Sequence, residues 1–255
     1  MMKIKNNFSD ATVLTGRVLK HNFRSVDTII TVIAMPVLMM LAFVYIFGGA
    51  MNLGDIKYIN YVVPGILVLC VMSAIAYTAY RINNDVTKGI FERFHSMPIS
   101  KSAILGGHVL SSVVFNIVSI IAVLIVAFLL GFRPSGNALD WLGIIFMLLL
   151  FTFAMTWIAV TFGLLAKSGE TSGVFSYVLM ILAFTSSALA PTATMGKGLA
   201  AFATYQPITP IVNCMRSLFM GEDVGNTMWI ATAWCIGIAV LFYILAMRIY
   251  KGRIS

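Results

Sequence analysis

The chain has 255 residues, of which 60% are hydrophobic and only 10% are charged, and its formal net charge is +8. Soluble domains have about 45–50% apolar and about 25% charged residues, so this composition argues against a soluble enzyme, a disordered chain and a nucleic-acid-binding protein. The length fits one membrane domain of about six helical spans, because each span needs roughly 20 residues.

Residues 1–27 are predicted to form an amphipathic helix at the membrane surface. They are not a signal peptide, because they lack a continuous apolar core and a small-residue cleavage site. Helical spacing places Val18 and Phe23 on one face and Lys20 and Arg24 on the opposite face. A helix of this kind lies in the membrane interface with its basic side toward anionic headgroups.

Six uncharged apolar runs follow, and each is long enough to cross a hydrocarbon core of about 30 Å as an α-helix. They predict an all-α integral membrane protein with six transmembrane helices. The predicted spans contain no Asp, Glu, Lys or Arg and cover residues 28–48, 59–80, 106–131, 141–166, 171–190 and 228–247.

The distribution of Lys and Arg predicts the orientation of these spans. With the N-terminus inside, 13 of the 17 basic residues fall in inner segments and 4 in outer segments. Basic residues concentrate on the cytoplasmic side of membrane proteins, so both termini are predicted to be cytoplasmic. The positive net charge is then explained without a nucleic-acid partner.

The inner loop at 81–101 has a helical pattern, because Ile82, Val86, Ile90 and Phe94 recur at every fourth position. Two interpretations stay open. The helix either docks in a groove of a soluble partner or only places its basic residues at lipid headgroups. Charged residues surround the apolar stripe: Asp85, Lys88, Glu92 and Arg93.

The outer segment at 191–227 is moderately apolar but is interrupted by proline and glycine. Its two halves, near 197–205 and 210–220, are too short to cross a membrane. Two short helices that dip into the outer interface are predicted. The interrupting residues are Pro191, Gly196, Gly198, Pro207, Pro210 and Gly221.

The sequence lacks the motifs of ATP hydrolysis and of the common catalytic and metal sites. A phosphate-binding loop needs closely spaced glycines followed by Lys-Ser or Lys-Thr, whereas the nearest string, Gly196-Lys197-Gly198, has no hydroxyl residue. Scattered histidines and the absence of a nucleophile elbow argue against metal or hydrolase chemistry. The chain is therefore predicted to bind no cofactor and not to be an enzyme by itself.

No predicted span carries an acidic residue. Ion-coupled carriers commonly place ionisable groups near the membrane midplane, so the energy for transport is expected to come from elsewhere. Hydroxyl residues in the fourth and fifth spans either line a path or join helices, and helix packing is the favoured interpretation.

The order of these elements resembles the permease subunit of an ABC-2 type exporter, most closely the daunorubicin/doxorubicin-resistance branch. The resemblance covers nearly the whole chain and is most specific in three stretches. They are 89–108, with Gly89, Glu92-Arg93 and Met97-Pro98; 186–195, around Pro191; and 206–213, followed by Arg216 and Gly221.

The resemblance implies an elbow helix at 8–26, a cytoplasmic coupling helix at 83–95 and short re-entrant helices at 191–220. It also implies two permease subunits, with a homodimer favoured, in the lipid bilayer of the plasma (inner) membrane. Two copies of a separate cytoplasmic ABC ATPase subunit would carry ATP and Mg. The first, second and fifth spans would border the path.

Three groups of residues receive roles from this resemblance. The ATPase-coupling surface would comprise Asp85, Lys88, Gly89, Glu92, Arg93, Phe94, His95 and Pro98. The candidate path residues are Ser73, Tyr77, Ser172, Ser176, Thr185 and Ser186. The outer re-entrant segment would be marked by Pro191, Gln206, Pro207, Pro210, Asn213 and Arg216.

The function implied is export of a hydrophobic or amphiphilic, drug-like compound, driven by the separate ATPase. An uncharged path suits such cargo, which can enter from the bilayer. Export of a glycan or lipid-linked polymer shares this architecture and is the nearest alternative. A secondary carrier or channel, an embedded enzyme and a sensor subunit are the alternatives from other classes.

Overall fold

A computed structural model of the chain describes residues 15–16, 18–20, 22–49, 56–90 and 101–252. The regular structure within these ranges is entirely helical, which confirms the predicted all-α class. A helical stretch Val26–Ile29 (α1) continues through a π-helical segment, Ile30–Ala34, into Met35–Phe47 (α2). The remaining helices are Tyr58–Thr87 (α3), Lys101–Leu129 (α4), Ala138–Leu165 (α5), Gly169–Ser172 (α6), Phe175–Phe184 (α7), Lys197–Tyr205 (α8), Ile208–Met220 (α9) and Thr227–Gly252 (α10), with a 3₁₀ turn at Thr192–Thr194.

Five helices of the described chain are long and apolar enough to cross a membrane. They include Ile30–Phe47 and Leu105–Leu129, together with most or all of α3, α5 and α10. The predicted fifth span at 171–190 takes a different form, because a turn separates α6 from α7 and a second turn follows Phe184. The six-span count therefore stays a prediction, whereas the other five predicted spans coincide with long apolar helices.

Helix α3 forms the centre of the bundle, and 83% of the residues in its most apolar 18-residue stretch are buried. It packs against α2, α4, α5, α7 and α9. By contrast, large apolar side chains remain exposed along α2, α4, α7 and α10. Exposed apolar surface of this extent is expected where helices face lipid or a second subunit.

The π-helical segment of the first long helix has a local cause in the sequence. Pro36 lies two residues after the end of the segment, in the first turn of α2. Proline has no N–H and therefore removes the helical donor for the carbonyl of Val32. Widening of the helix before Pro36 accommodates this loss, as π-bulges commonly do.

The N-terminal helical residues 18–20 and 22–24 lie against the bundle on one side. Val18 and Asn22 are buried, whereas Lys20 and Arg24 are exposed. This division agrees with the basic face predicted from helical spacing, although Phe23, predicted on the apolar face, is 46% exposed. The elbow assignment over 8–26 stays a prediction, because part of that range lies outside the described residues.

Helix α3 continues beyond the predicted end of the second span at Tyr80 and reaches Thr87. Its last two turns bury Ile82 against Leu105 and Trp157, in a small apolar cluster separate from the main core. The same turns bury three polar residues, and each such residue needs a partner when it leaves water. These residues are Arg81, Asn83 and Asp85.

Asn83 closes the end of the neighbouring helix α5. Its side-chain Nδ2 donates to the carbonyl oxygens of Gly163 at 3.2 Å and Ala166 at 2.7 Å. The last carbonyls of a helix have no donor within that helix, so an amide from another helix stabilises this end. Asn83 thereby fixes the C-terminal part of α3 against α5.

Asn83→Ala is expected to lower the free energy of unfolding by about 2 kcal/mol, because two carbonyl groups of α5 lose a buried donor. Thermal unfolding of the purified chain in detergent measures the change. Asn84→Ala is the matched control, since the Asn84 side chain is only half-buried, and it should stay within about 0.5 kcal/mol of the unmodified chain. Equal effects of the two substitutions would contradict the capping role.

Candidate functional site

A cavity of about 230 Å³ lies between the first long helix, α3 and α7. Ser73 and Ser176, two of the predicted path residues, both line it. The structure thus brings together residues of the first, second and fifth predicted spans. The other lining residues are Thr31, Met35, Met39, Met72, Ala76 and Met180. We call this space the serine–methionine cavity.

Both serines of this cavity are hydrogen-bonded to their own helices. Ser73 Oγ donates to the carbonyl of Leu69 at 2.9 Å, and Ser176 Oγ donates to the carbonyl of Gly173. The donor of each hydroxyl is therefore satisfied, and its lone pairs can accept from a bound molecule. The four methionines add flexible, polarizable surface that adapts to apolar and aromatic groups.

The other predicted path residues occupy different places. Tyr77 lines a small cavity near the C-terminal end of α3 and not the serine–methionine cavity. Ser172 and Ser186 are buried, and their hydroxyls donate to the carbonyls of Gly169 and Ala183. Thr185 donates to the carbonyl of Ile181 at 2.8 Å. In this conformation these last three hydroxyls bond to carbonyls of their own segment.

A larger cavity of about 550 Å³ lies on the opposite side of α7, between α5 and α10. Thr171 is its one hydroxyl-bearing lining residue, and Pro207 with Ile208 borders it at the other end. Its remaining lining is apolar side chains of α5, α7 and α10. No pattern in the sequence indicates this space, because it arises from the incomplete packing of α7 against α5 and α10.

The segment 185–189, which follows α7, is a non-helical turn held inside the protein. Ser186, Ser187, Ala188 and Leu189 are all buried. Irregular backbone at membrane depth is tolerated only where protein groups satisfy its N–H and C=O groups. Two helices, α3 and α9, provide these groups from opposite sides.

Helix α3 contacts the turn through one face. Tyr58 donates its hydroxyl to the carbonyl of Leu189 at 3.2 Å, and Tyr61 donates to the carbonyl of Ser187 at 3.1 Å. One turn farther along the same face, Gly65 lies directly against the backbone of Ala188. Positions i, i+3 and i+7 share a helix face, so these three residues form one continuous cradle.

Helix α9 contacts the turn from the other side. Thr209 Oγ1 accepts the backbone N–H of Ser187 at 3.2 Å, and Asn213 Oδ1 accepts the Ser187 hydroxyl at 2.7 Å. Arg216 donates from Nη2 to the carbonyl of Ser187 at 2.7 Å. We name the six residues that hold this turn the outer clamp, after the predicted topology: Tyr58, Tyr61, Gly65, Thr209, Asn213 and Arg216.

Arg216 uses its whole guanidinium in this clamp. Besides the bond to Ser187, its Nε donates to the carbonyl of Tyr61 at 3.2 Å and its Nη1 to Asn213 Oδ1 at 2.8 Å. The guanidinium carbon also lies 3.8 Å from the centroid of the Tyr61 ring, which is a cation–π contact. Burial lowers the pKa of Arg216, while Tyr61 and Glu222 act in the opposite direction. An arginine nevertheless keeps its charge in proteins.

The remaining predicted outer residues shape the backbone around this clamp. Gln206 Nε2 donates to the carbonyl of Leu182 at 2.8 Å, which attaches the end of α7 to the loop before α9. Pro207 precedes α9, and Pro210 lies in its first turn, where a missing N–H has no effect on helical bonding. Pro191 precedes the 3₁₀ turn at Thr192–Thr194. Two short helices, α8 and α9, thus occupy the predicted outer segment.

The predicted coupling residues are only partly within the described chain. Asp85 is buried, with its Oδ2 atom 3.4 Å from His108 Nε2. Lys88 is exposed at the end of α3, and Gly89 follows with φ +67°, a left-handed conformation that favours glycine. The other predicted members lie outside the described residues, and their role stays a prediction: Glu92, Arg93, Phe94, His95 and Pro98.

Sequence reasoning missed four of the six residues of the outer clamp. Tyr58, Tyr61, Gly65 and Thr209 received no site role, whereas Asn213 and Arg216 were among the predicted outer residues. The spacing of Tyr58, Tyr61 and Gly65 along one helix face is a signal that was available. Their common partner, the turn at 185–189, was hidden because that segment was predicted as part of a continuous span.

Comparison with known proteins assigns these features to a family. Residues 10–220 match the family described as ABC-2 type transporter. The chain is 30% identical to a daunorubicin resistance ABC transporter permease protein, DrrB1, of Streptomyces coeruleorubidus, over 88% of this chain and 80% of that protein. It is 24% identical to a probable doxorubicin resistance ABC transporter permease protein, DrrC, of Mycobacterium tuberculosis, over 89% of this chain and 83% of that protein.

Proposed function

This chain belongs to the ABC-2 type transporter family, and we propose that it is the membrane-spanning subunit of an ATP-driven exporter of lipophilic or amphiphilic, drug-like compounds. It is a multi-pass membrane protein. The observation that carries the proposal is the alignment of 88% of the chain with a permease named for daunorubicin resistance.

The serine–methionine cavity supports this class of cargo. Ligand sites for such molecules are mostly apolar, with a few polar groups that set orientation. Here methionine side chains provide an adaptable apolar lining, and the lone pairs of Ser73 and Ser176 can accept hydrogen bonds from cargo. We propose that the cavity is part of the translocation path, bordered by the first, second and fifth predicted spans.

The energy for transport enters, in this proposal, through a separate subunit. Two copies of a cytoplasmic ABC ATPase would bind ATP and Mg and contact the connection between α3 and α4. A second copy of this permease would complete the path. The basic-residue distribution supports a cytoplasmic location for both termini and for this connection. The inner (plasma) membrane is the proposed location, since the ATPase needs cytoplasmic ATP.

Purification from the native host in mild detergent, followed by mass spectrometry, tests the proposed assembly. We expect a P-loop ATPase to accompany the chain, and the reconstituted pair to move an anthracycline-like fluorescent compound only when ATP is supplied. A chain that moves this compound in liposomes without ATP or an ATPase would contradict the proposal and favour a secondary carrier.

Met180→Trp is expected to reduce transport of a bulky compound about tenfold. The larger tryptophan side chain would fill the serine–methionine cavity and occupy space that the compound needs. Transport by the complex in vesicles is the measurement. Ile181→Trp is the matched control, since Ile181 is the next residue of α7 and is 62% exposed. Equal transport in the two variants would show that cargo does not use this cavity.

A further inference from the structure

A buried acid–imidazole pair joins the two helices that flank the connection between α3 and α4. Asp85 lies in the last turn of α3, and His108 lies near the beginning of α4. The distance from Asp85 Oδ2 to His108 Nε2 is 3.4 Å, and the two side chains are only 6% and 5% exposed. The pair therefore joins the end of α3 to the beginning of α4, the two stems of the 88–100 connection, from inside the protein.

The surroundings of this pair are polar and are shared by three parts of the chain. A cavity of about 10 Å³ next to His108 is lined by Asn22 from the N-terminal helical residues, Arg81 from α3 and Ser111 from α4. Within the described chain, Asn22 Oδ1 and Ser111 Oγ are buried without a hydrogen-bond partner. A polar space of this size suits one water molecule. Besides His108, Arg81 is the titratable side chain with a nitrogen group that lines this cavity.

A chain of hydroxyl groups extends from this region to a third helix. The hydroxyl oxygens of Thr78 in α3 and Ser112 in α4 are 2.9 Å apart, and that of Ser112 is 3.4 Å from that of Thr156 in α5. Thr78 and Ser112 also line the cavity beside His108. The pair thus lies next to a series of hydrogen-bonded hydroxyl groups that connects α3, α4 and α5.

The pair is better suited to fixing position than to adding stability. Taking a carboxyl group and an imidazole out of water offsets most of their mutual attraction, so a buried pair contributes little compared with well-packed apolar residues. Separating the pair is nevertheless unfavourable, because their interaction is lost in a medium of low dielectric constant. The two stems are consequently coupled: a displacement of one draws the other with it.

We propose that Asp85 and His108 are a positioning pair, which holds the two stems of the 88–100 connection in register so that movement imposed on the connection reaches α3 and α4 together. This inference rests on the proposed function, in which an ATPase moves that connection. Asp85 then acts from inside the protein and not as part of the ATPase-contacting surface.

The stem geometry is measured first, on the purified chain without any ATPase. Spin labels are placed on cysteines introduced at the exposed positions Thr87 and Leu110, and the three native cysteines are buried. A narrow distance distribution is expected for the unmodified pair. Asp85→Ala and His108→Ala should each broaden it, whereas the exchanged pair, Asp85→His with His108→Asp, should make it narrow again.

Coupling is measured second, as transport per ATP hydrolysed by the reconstituted complex. Each alanine variant is expected to lower this ratio about tenfold, because it leaves a buried group without its partner. The exchanged pair should recover most of the loss. Glu170→Ala, which removes an exposed acid, is the matched control and should leave the ratio unchanged. If an alanine variant does not insert, His108→Gln replaces it, since this substitution keeps the size of the side chain.

The outcomes distinguish failure of the positioning role from failure of the proposed transport function. Failure of the exchanged pair to restore both the narrow distribution and the ratio would overturn the positioning role. Unchanged distributions in the single variants would also overturn it. If the unmodified chain transports nothing with its ATPase, the proposed function fails, and the distance measurements alone decide whether the pair positions the stems.

Discussion

Gly65→Ala is expected to destabilise the protein by about 3 kcal/mol, although it adds a single methyl group. A Cβ atom at this position would overlap the carbonyl oxygen of Ala188 and would lie 2.7 Å from its carbonyl carbon. These are backbone atoms of the buried turn at 185–189, so no side-chain rotation can relieve the overlap. The turn or α3 must move, and the tyrosine hydrogen bonds of the outer clamp would lengthen.

The midpoint of thermal unfolding in detergent measures this effect. Gly237→Ala in α10 is the matched control, because a Cβ there would meet nothing within 4 Å, and it should be neutral or slightly stabilising. Ala188→Gly should not rescue Gly65→Ala, since the overlap involves the backbone and not the side chain of Ala188. Rescue by Ala188→Gly would show that the structure places the wrong atoms in contact.

Arg216→Met is expected to destabilise the protein by about 3 kcal/mol and to loosen the turn at 185–189. The methionine fills similar space but donates no hydrogen bond, so the carbonyls of Ser187 and Tyr61 lose a charged donor. Hydrogen bonds to charged groups contribute about 1.5–3 kcal/mol each, and neighbouring ones are not additive. The stability of Arg216→Lys should lie between that of Arg216→Met and that of the unmodified protein. A lysine is a point donor and cannot form the planar fork of bonds that an arginine forms.

The unfolding midpoint separates the Arg216 variants, and protease cleavage within 185–195 reports on the loosened turn. Lys197→Met provides the control, because Lys197 is an exposed cation of the neighbouring helix α8, and its loss should change stability by no more than about 0.5 kcal/mol. If Arg216→Met and Lys197→Met unfold at the same temperature, Arg216 contributes as an ordinary surface charge and the clamp does not depend on it.

The sequence predicts the membrane architecture well, because transfer from water to lipid depends on the sum over about 20 side chains and tolerates local detail. The apolar runs that contain Pro36 and Pro64 are both long helices as expected. The run at 171–190 is also uncharged and long enough to cross, but it forms part of α6, then α7, with two turns. Composition alone does not reveal this break, because its partners are contributed by α3 and α9.

The candidate sites also combine features that the sequence predicts with features that depend on contacts between distant segments. Ser73 and Ser176 share a cavity as the family resemblance implies, since the order of the spans determines which helices meet. The roles of Tyr58 and Gly65 depend on the contact of one helix face with one buried turn. Such a contact joins segments more than 100 residues apart, and periodicity within one segment carries no information about it.

The outer clamp also sets an order for the biogenesis of this protein. Tyr61 and Ser187 are separated by 126 positions in the chain, and Arg216 and Tyr61 by 155. While a ribosome is still translating the codons before Thr209, α3 has already been released, but the carbonyl of Ser187 lacks its arginine donor. The nascent chain therefore holds an incompletely satisfied turn until α9 emerges. Truncation before residue 216 is therefore expected to leave the carbonyl of Ser187 without its arginine donor and to make the turn more sensitive to proteases.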